Sequence, residues 1–406
     1  MRRGEPHKGA GIFLPGHFWL DCSAIGLILA LLKASAIDRM SSTTASSTQH
    51  DVFPRRRVLA AIAVTAALLT AYYGNSPNFR LSDGGRLFGG DYFQEWFGGR
   101  LVNLGLLADC YDPRRAEALQ NNPDFIGFSR SKSHFFPLVY PPFYYAIVSP
   151  LSHLPYQIAA VVWGVAMSCC YLAAAALMGG YVWKCAPRGP AKLAIAILPG
   201  GLMFPPIVES LVTNQKGTLC LLIVTAAFLL LQVCRPAVAG FCFGWLMFKP
   251  QLALPIMLVM LWKRQFAFCL GCLGTLCLLG TISLAVGWDA CSQFLRLLGA
   301  APEYIYRHGY SVASSHCVDS FFHGLIPDHP REARMLAVAA TVGLVLIALR
   351  LVKGPIQSDS RRSALQYSGL IVVTILISPH RYGYDLSLLL LPFVVIIALP
   401  RHGQDA

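Results

Sequence analysis

The chain has 406 residues, 55% of them hydrophobic and 13% charged, with a formal net charge of +13. Soluble domains carry about 25% charged residues, so the composition excludes an ordinary soluble enzyme and predicts a polytopic membrane protein. The basic excess fits cytoplasmic loops and anionic headgroups; without a long basic stripe or recognition motif, a nucleic-acid partner is not expected.

Residues 1–57 read as an N-terminal cytoplasmic segment. Cys22–Leu32 is apolar but too short to span, and no small-residue cleavage pattern follows it, so a signal peptide is not predicted. Met40 opens a Ser/Thr-rich stretch of the kind that starts a chain, and the expectation is that 1–39 are not translated. Arg55, Arg56 and Arg57 precede a charge-free run from Val58 to Phe79, which predicts a span with the N-terminus inside and the next loop outside. Residues 58–400 read as one membrane domain and 401–406 as a cytoplasmic tail.

The outside loop, about 75–140, carries Gly89-Gly90-Asp91-Tyr92-Phe93-Gln94-Glu95-Trp96. Asp91 suits an N-cap, with Gln94 three positions on as in a capping box. Phe93, Trp96, Phe97, Leu101, Leu104 and Ala108 recur at helical spacing, which predicts a helix lying on the membrane with its aromatics down. By spacing alone, Asp91 is a cap. A carboxylate just outside a membrane is also a candidate base. A second short helix is expected near 114–121, after the Tyr111-Asp112-Pro113 turn.

Leu138–Trp183 has no Asp, Glu, Lys or Arg and is too long for one span. Ser152-His153-Leu154-Pro155 divides it into a short span from Tyr140 and a long one from Tyr156. Charge-free runs follow at 193–208, 217–234 and 265–288, with spans expected at about 333–352, 364–379 and 385–400. Lys263, Arg264, Lys353, Arg361 and Arg362 mark inside loops, which puts 289–331 and His380 outside and the C-terminus inside. The stretch 236–262, broken at Lys249-Pro250, leaves two readings. As one span it sets Lys184, Arg188 and Lys192 outside, against the positive-inside rule. As a hairpin, with 140–154 re-entrant, it moves those charges inside and brings Lys249 to the outer surface. The expected fold is all-α, a polytopic membrane helical bundle of about ten spans with surface helices on an extracytoplasmic first loop.

A lysine inside a membrane-length apolar stretch is costly, about 2.5–3.5 kcal/mol on insertion scales, and is usually functional. Lys249 is therefore a candidate for binding a phosphate, although snorkelling from a short helix end would also explain it. His380 and Arg381, in Ser378-Pro379-His380-Arg381-Tyr382-Gly383-Tyr384-Asp385, suit the same phosphate; an interfacial Arg/Tyr belt is the plainer alternative. Tyr140, Gln215, Gln251, Tyr384 and Asp385 are candidate donor- or acceptor-binding residues. Asn214-Gln215-Lys216 also reads as a simple loop between spans. His316, Asp319 and His323 match no trusted zinc spacing, and no metal or cofactor is assigned. Cys110, Cys291 and Cys317 fall in outside loops, where one disulfide could form.

These motifs resemble glycosyltransferase family 87 of the GT-C superfamily. The shared features are Gly90-Asp91-Tyr92-Phe93 after the first span, Tyr140-Pro141-Pro142, Asn214-Gln215, Lys249-Pro250, and Ser378-Pro379-His380 with Tyr384-Asp385-Leu386, in that order from about 58 to 400. The resemblance implies a GT-C fold and an outward-facing site in the inner (plasma) membrane. It implies inverting transfer of a hexose, mannose in characterised members, from a polyprenyl-phosphate donor to a lipid or glycan acceptor. Asp91 matches the family's proposed base; Lys249 and His380 match positions near the donor phosphate. The departure is at Asn214-Gln215-Lys216, where Gly would precede the Gln and Asn follow it. A glycan ligase or polymerase and a lipid-linked-sugar flippase are the rival readings; inverted repeats, which would favour the flippase, are not evident.

Overall fold

A computed structural model of the protein describes residues 55–76, 78, 88–129, 135–185, 191–307, 315–352, 361–378 and 382–398. Among these residues every regular element is helical. The expected start at Met40 and the tail 401–406 lie outside them. Contacts divide the chain at Ala60; of the first unit, residues 55–60 are described, as the opening turns of α1 (Arg55–Asn75).

From residue 88 on, the described part of the first loop holds a 3-10 turn at Gly90–Tyr92, α2 (Phe93–Asn103), α3 (Leu107–Cys110), α4 (Pro113–Gln120) and α5 (Pro123–Ile126). Helices α4 and α5 start alike. Each has proline in its first turn, where no amide is needed. Each is capped by the residue before: Asp112 Oδ1 accepts from Arg114 N at 2.9 Å, and Asn122 Oδ1 from Asp124 N at 3.0 Å. The helix expected near 114–121 is therefore α4, with Asp112 as its cap.

Helix α2 departs from its expectation. Phe93, Trp96, Phe97 and Leu101 are buried, but so are Gln94 and Glu95. The helix is enclosed by protein rather than laid on a membrane. Residues 135–156 cover it: Phe93 meets the Phe136 ring at 5.4 Å and the Tyr156 ring at 5.7 Å, and Trp96 Nε1 donates to Leu154 O at 3.1 Å. Two polar residues of the helix find partners there. Gln94 donates to the Pro137 carbonyl, and Asn103 Nδ2 to Ser152 Oγ at 2.8 Å.

The covering segment contains α6 (Pro142–Val148) and a 3-10 turn over Ser149–His153. A helix of seven residues rises about 10 Å, too little to cross a bilayer. Both its ends contact the first loop, through Tyr111 OH on Tyr140 O and Trp96 Nε1 on Leu154 O, and by its length α6 is not the short span of the first reading.

The remaining helices are α7 (Tyr156–Cys185), α8 (Ala191–Gly201), α9 (Pro205–Val212), α10 (Gly217–Gln232), α11 (Pro236–Gly244), α12 (Pro250–Trp262), α13 (Phe266–Val286), α14 (Trp288–Arg307), α15 (Val318–Leu325), α16 (Pro330–Leu351), α17 (Arg361–Ile377) and α18 (Leu390–Ala398). Among the described residues four helices are long and apolar enough to cross a membrane: α1, α7, α13 and α16. The pair α8–α9, bent by 54°, makes a fifth if it is one span. This is a membrane protein. The helices at 217–232, 236–248, 250–262 and 383–398 are apolar but shorter.

Contacts also decide how 236–262 runs. Gly240 of α11 lies against the carbonyl of Phe268 on α13, Gly271 lies against the carbonyl of Ala237, and Gly244 lies against Thr275. Both sequences rise together, so α11 and α13 run parallel. The chain must therefore travel out along α11 and back along α12 before α13 begins. The far end of α12 agrees, because Met260 shares a small pocket with Leu231, Gln232 and Val352. The hairpin reading holds, and Lys249 sits at its tip. Just past the far end of α12, Lys263 Nζ donates to the Val352 carbonyl.

Candidate active site

Gly89 and Gly90 take φ of 79° and 58°, the left-handed region in which a side chain is strained. A Cβ on Gly89 would also fall 2.6 Å from that of Ala160 on α7. The turn is fastened by Gly89 N to Asn78 O at 2.6 Å and by Asp91 N to Thr213 O at 3.2 Å. Tyr92 then stacks on Trp163 with 5.3 Å between centroids. Small residues on α7 and a glycine pair in the loop thus let Asp91 approach the end of α9.

Asp91 does not cap α2. The intervening 3-10 turn moves the helix start to Phe93, and the cap position falls to Tyr92 without a side-chain hydrogen bond. Instead, Asp91 Oδ2 accepts from Gln215 Nε2 at 2.6 Å. Gln215 is presented by a sharp turn in which Asn214 takes φ of 58°, donates Nδ2 to Ala160 O at 3.0 Å, and accepts from Trp163 Nε1 at 3.1 Å through its carbonyl. The Asn214-Gln215-Lys216 segment is therefore a built corner, not a bare loop.

Lys249 is 3% exposed and donates to Asp385 Oδ1, with its ammonium 4.9 Å from the Tyr384 ring centroid. It ends the α11 leg, and Pro250 opens α12 immediately after it. The snorkelling alternative does not fit a side chain buried against a carboxylate and a ring. Ser378 Oγ donates to Gln251 O at 2.5 Å, which ties the hairpin tip to the end of α17.

A cavity of about 650 Å³ joins these groups. Asp91, Gln94, Glu209, Gln215, Lys249, Gln251 and Asp385 supply its polar lining; Val139, Phe248, Leu254, Phe294 and Leu298 supply its apolar wall. Tyr140 and Tyr384 border it as well. Seven of the residues singled out in the sequence, from five separate stretches, thus share one hollow. His380 and Arg381 lie outside the described residues.

Among the described residues the lining holds three carboxylates and one cation, Lys249, which Asp385 already neutralises. The sequence reading passed over Glu209. Its carboxylate lies so close to Gly383 that a Cβ there would sit 2.0 Å from Oε2. The signal was present: Glu209 and Lys216 are the only charges between Lys192 and Arg235.

Glu95 was also passed over. It lies one turn beyond Asp91, 1% exposed, and accepts from Lys216 Nζ. Lys216, itself 1% exposed, is flanked by the rings of Tyr140 at 4.3 Å and Tyr144 at 5.6 Å. Tyr144 OH approaches Glu95 Oε1 at 3.5 Å. Burial pushes the Glu95 carboxyl above the usual carboxylate range, Lys216 draws it back, and Asp91 adds to the rise.

Among the described residues no group of three or more His, Cys, Asp or Glu is arranged to hold a metal ion. His323 Nδ1 instead lies 2.9 Å from the backbone oxygen of Asp319. Cys110, Cys291 and Cys317 are free thiols, so the disulfide that could have joined two of them is not formed.

A family model described as glycosyltransferase family 87 matches residues 138–379, more than half of the chain. No curated protein and no solved structure matches.

Proposed function

The chain belongs to glycosyltransferase family 87, and from that premise we propose that it moves a hexose, mannose in the first instance, from a polyprenyl-phosphate donor to a hydroxyl of a lipid or glycan acceptor, with inversion. The site belongs on the extracytoplasmic face of the plasma membrane, with both termini inside. The ten legs of this GT-C-type bundle comprise α1, α7, the bent α8–α9 pair, α10, the two arms of the hairpin, α13, α16, α17 and the last element, 383–398.

In this reading Asp91 is the base. The acceptor oxygen attacks the anomeric carbon from the face opposite the phosphate. The carbon–oxygen bond to the phosphate breaks with its electron pair on the leaving group, and the acceptor proton passes to the Asp91 carboxylate. Gln215 orients that carboxylate. Lys249 leaves Asp385 to meet the phosphate, joined by His380 and Arg381. Gln251, Tyr140, Tyr384 and Asp385 border the sugar.

The observation that carries the reading is the shared cavity: Asp91 and Lys249 line one hollow with an apolar wall, as a lipid-borne phosphate sugar requires. Purified protein in vesicles, offered labelled polyprenyl-phosphate mannose or nucleotide-linked mannose with a hydroxyl acceptor, tests it. Transfer from the lipid donor alone is expected. Transfer from the nucleotide donor, or flipping of the lipid without transfer, would overturn it.

A further inference from the structure

Two links tie the same two segments together. At the cavity, Gln215 holds Asp91 at 2.6 Å. Sealed beneath, the next residue of one segment, Lys216, holds the residue one turn further along the other, Glu95. The lower link touches no cavity surface. Both its members are 1% exposed, and Tyr140 and Tyr144 wall off Lys216.

A buried ion pair of this kind adds little stability over apolar packing but fixes register, since neither charge can leave its partner. Here the register it fixes is that of Gln215 against Asp91. We infer that Glu95 and Lys216 are positioning residues for the transfer reaction: their pairing holds the Gln215 amide on the Asp91 carboxylate. The inference rests on the proposed role of Asp91.

The consequence is read in pH. Gln215 N–H favours ionised Asp91, so loosening it raises the pH at which the base becomes available. Among the described residues, the charged groups near Asp91 include Glu95, Glu209, and Lys249 with Asp385 across the cavity. Replacing Glu95 and Lys216 together by Gln and Met removes equal and opposite charge and leaves the rest unchanged.

The experiment compares kcat/KM against pH for the wild type, Glu95→Gln with Lys216→Met, Gln215→Leu, and all three changes combined. The double variant should move the acid limb up by about one pH unit and lower kcat about tenfold or more. Gln215→Leu should do the same, and the combined variant no more than either. Should the double variant not fold, Glu95→Asp keeps both charges while drawing them one methylene apart, and the limb should still rise by a smaller amount. An unmoved limb, or shifts that add in the combined variant, overturns the inference. Asp91→Asn run alongside separates the two failures. If it stays fully active, the base assignment falls and takes this inference with it; if it is inactive while the limb stays put, the positioning role alone is lost.

Discussion

Among the described residues stand two buried lysine–carboxylate pairs, and they differ in one respect. Lys216–Glu95 has side chains 1% and 1% exposed; Lys249–Asp385 has 4% and 3%. Each lysine lies against a tyrosine ring, at 4.3 Å and 4.9 Å. Burial and partners are nearly the same. Yet the second pair borders the cavity, and the first is walled off from it. Access, not burial, is what marks a buried charge as available for chemistry, and the two pairs should respond to the same substitution in different ways.

The largest effect should come from the sealed pair. Glu95→Ala leaves the Lys216 ammonium buried without its carboxylate, at a cost of about 3–5 kcal/mol. The variant should accumulate poorly or melt far below the wild type, as thermal unfolding in detergent would register. An unchanged melting temperature would mean that the two pairs do not differ in this way.

Lys249→Gln should act on the substrate instead. Its expected signature is a donor KM raised about tenfold or more, with melting shifted less than in Glu95→Ala. Initial rates over a range of donor concentration separate these, and an unchanged KM would remove Lys249 from the phosphate. Glu209→Gln is the mildest change. The carboxylate faces the cavity and can accept from sugar hydroxyls, so its loss should raise one substrate's KM a few-fold, about 1 kcal/mol; a loss of kcat alone would point to a different role.

Much of this arrangement could be read from the chain, and the rest could not, for physical reasons. Lys249-Pro250 stood out because a charge beside a helix breaker is costly in an apolar run, and it proves to be the tip of a hairpin. The hairpin itself was one of two alternatives. Local apolarity is the same for a crossing leg and a returning one, and only the contacts of Gly240 and Gly244 with α13, and of Gly271 with α11, distinguish them. The Asp91 cap was misread because the Gly89-Gly90 turn delays the helix start, a backbone effect that N-cap spacing does not register. Helix α2 was misread because a stripe of aromatics predicts an apolar surface without saying whether lipid or the 135–156 segment covers it. Glu95 went unseen because its partner lies 121 residues away.

The central claim is that Asp91 takes the acceptor proton, and it has a direct test. Transfer of labelled hexose from the polyprenyl-phosphate donor should be measured in membranes carrying equal amounts of wild-type and Asp91→Asn protein. The amide is nearly the same size and still meets Gln215, but it cannot accept the proton. Loss of about 10²–10⁴-fold in transfer, with donor binding retained, is the predicted result. Transfer at the wild-type rate would contradict the account.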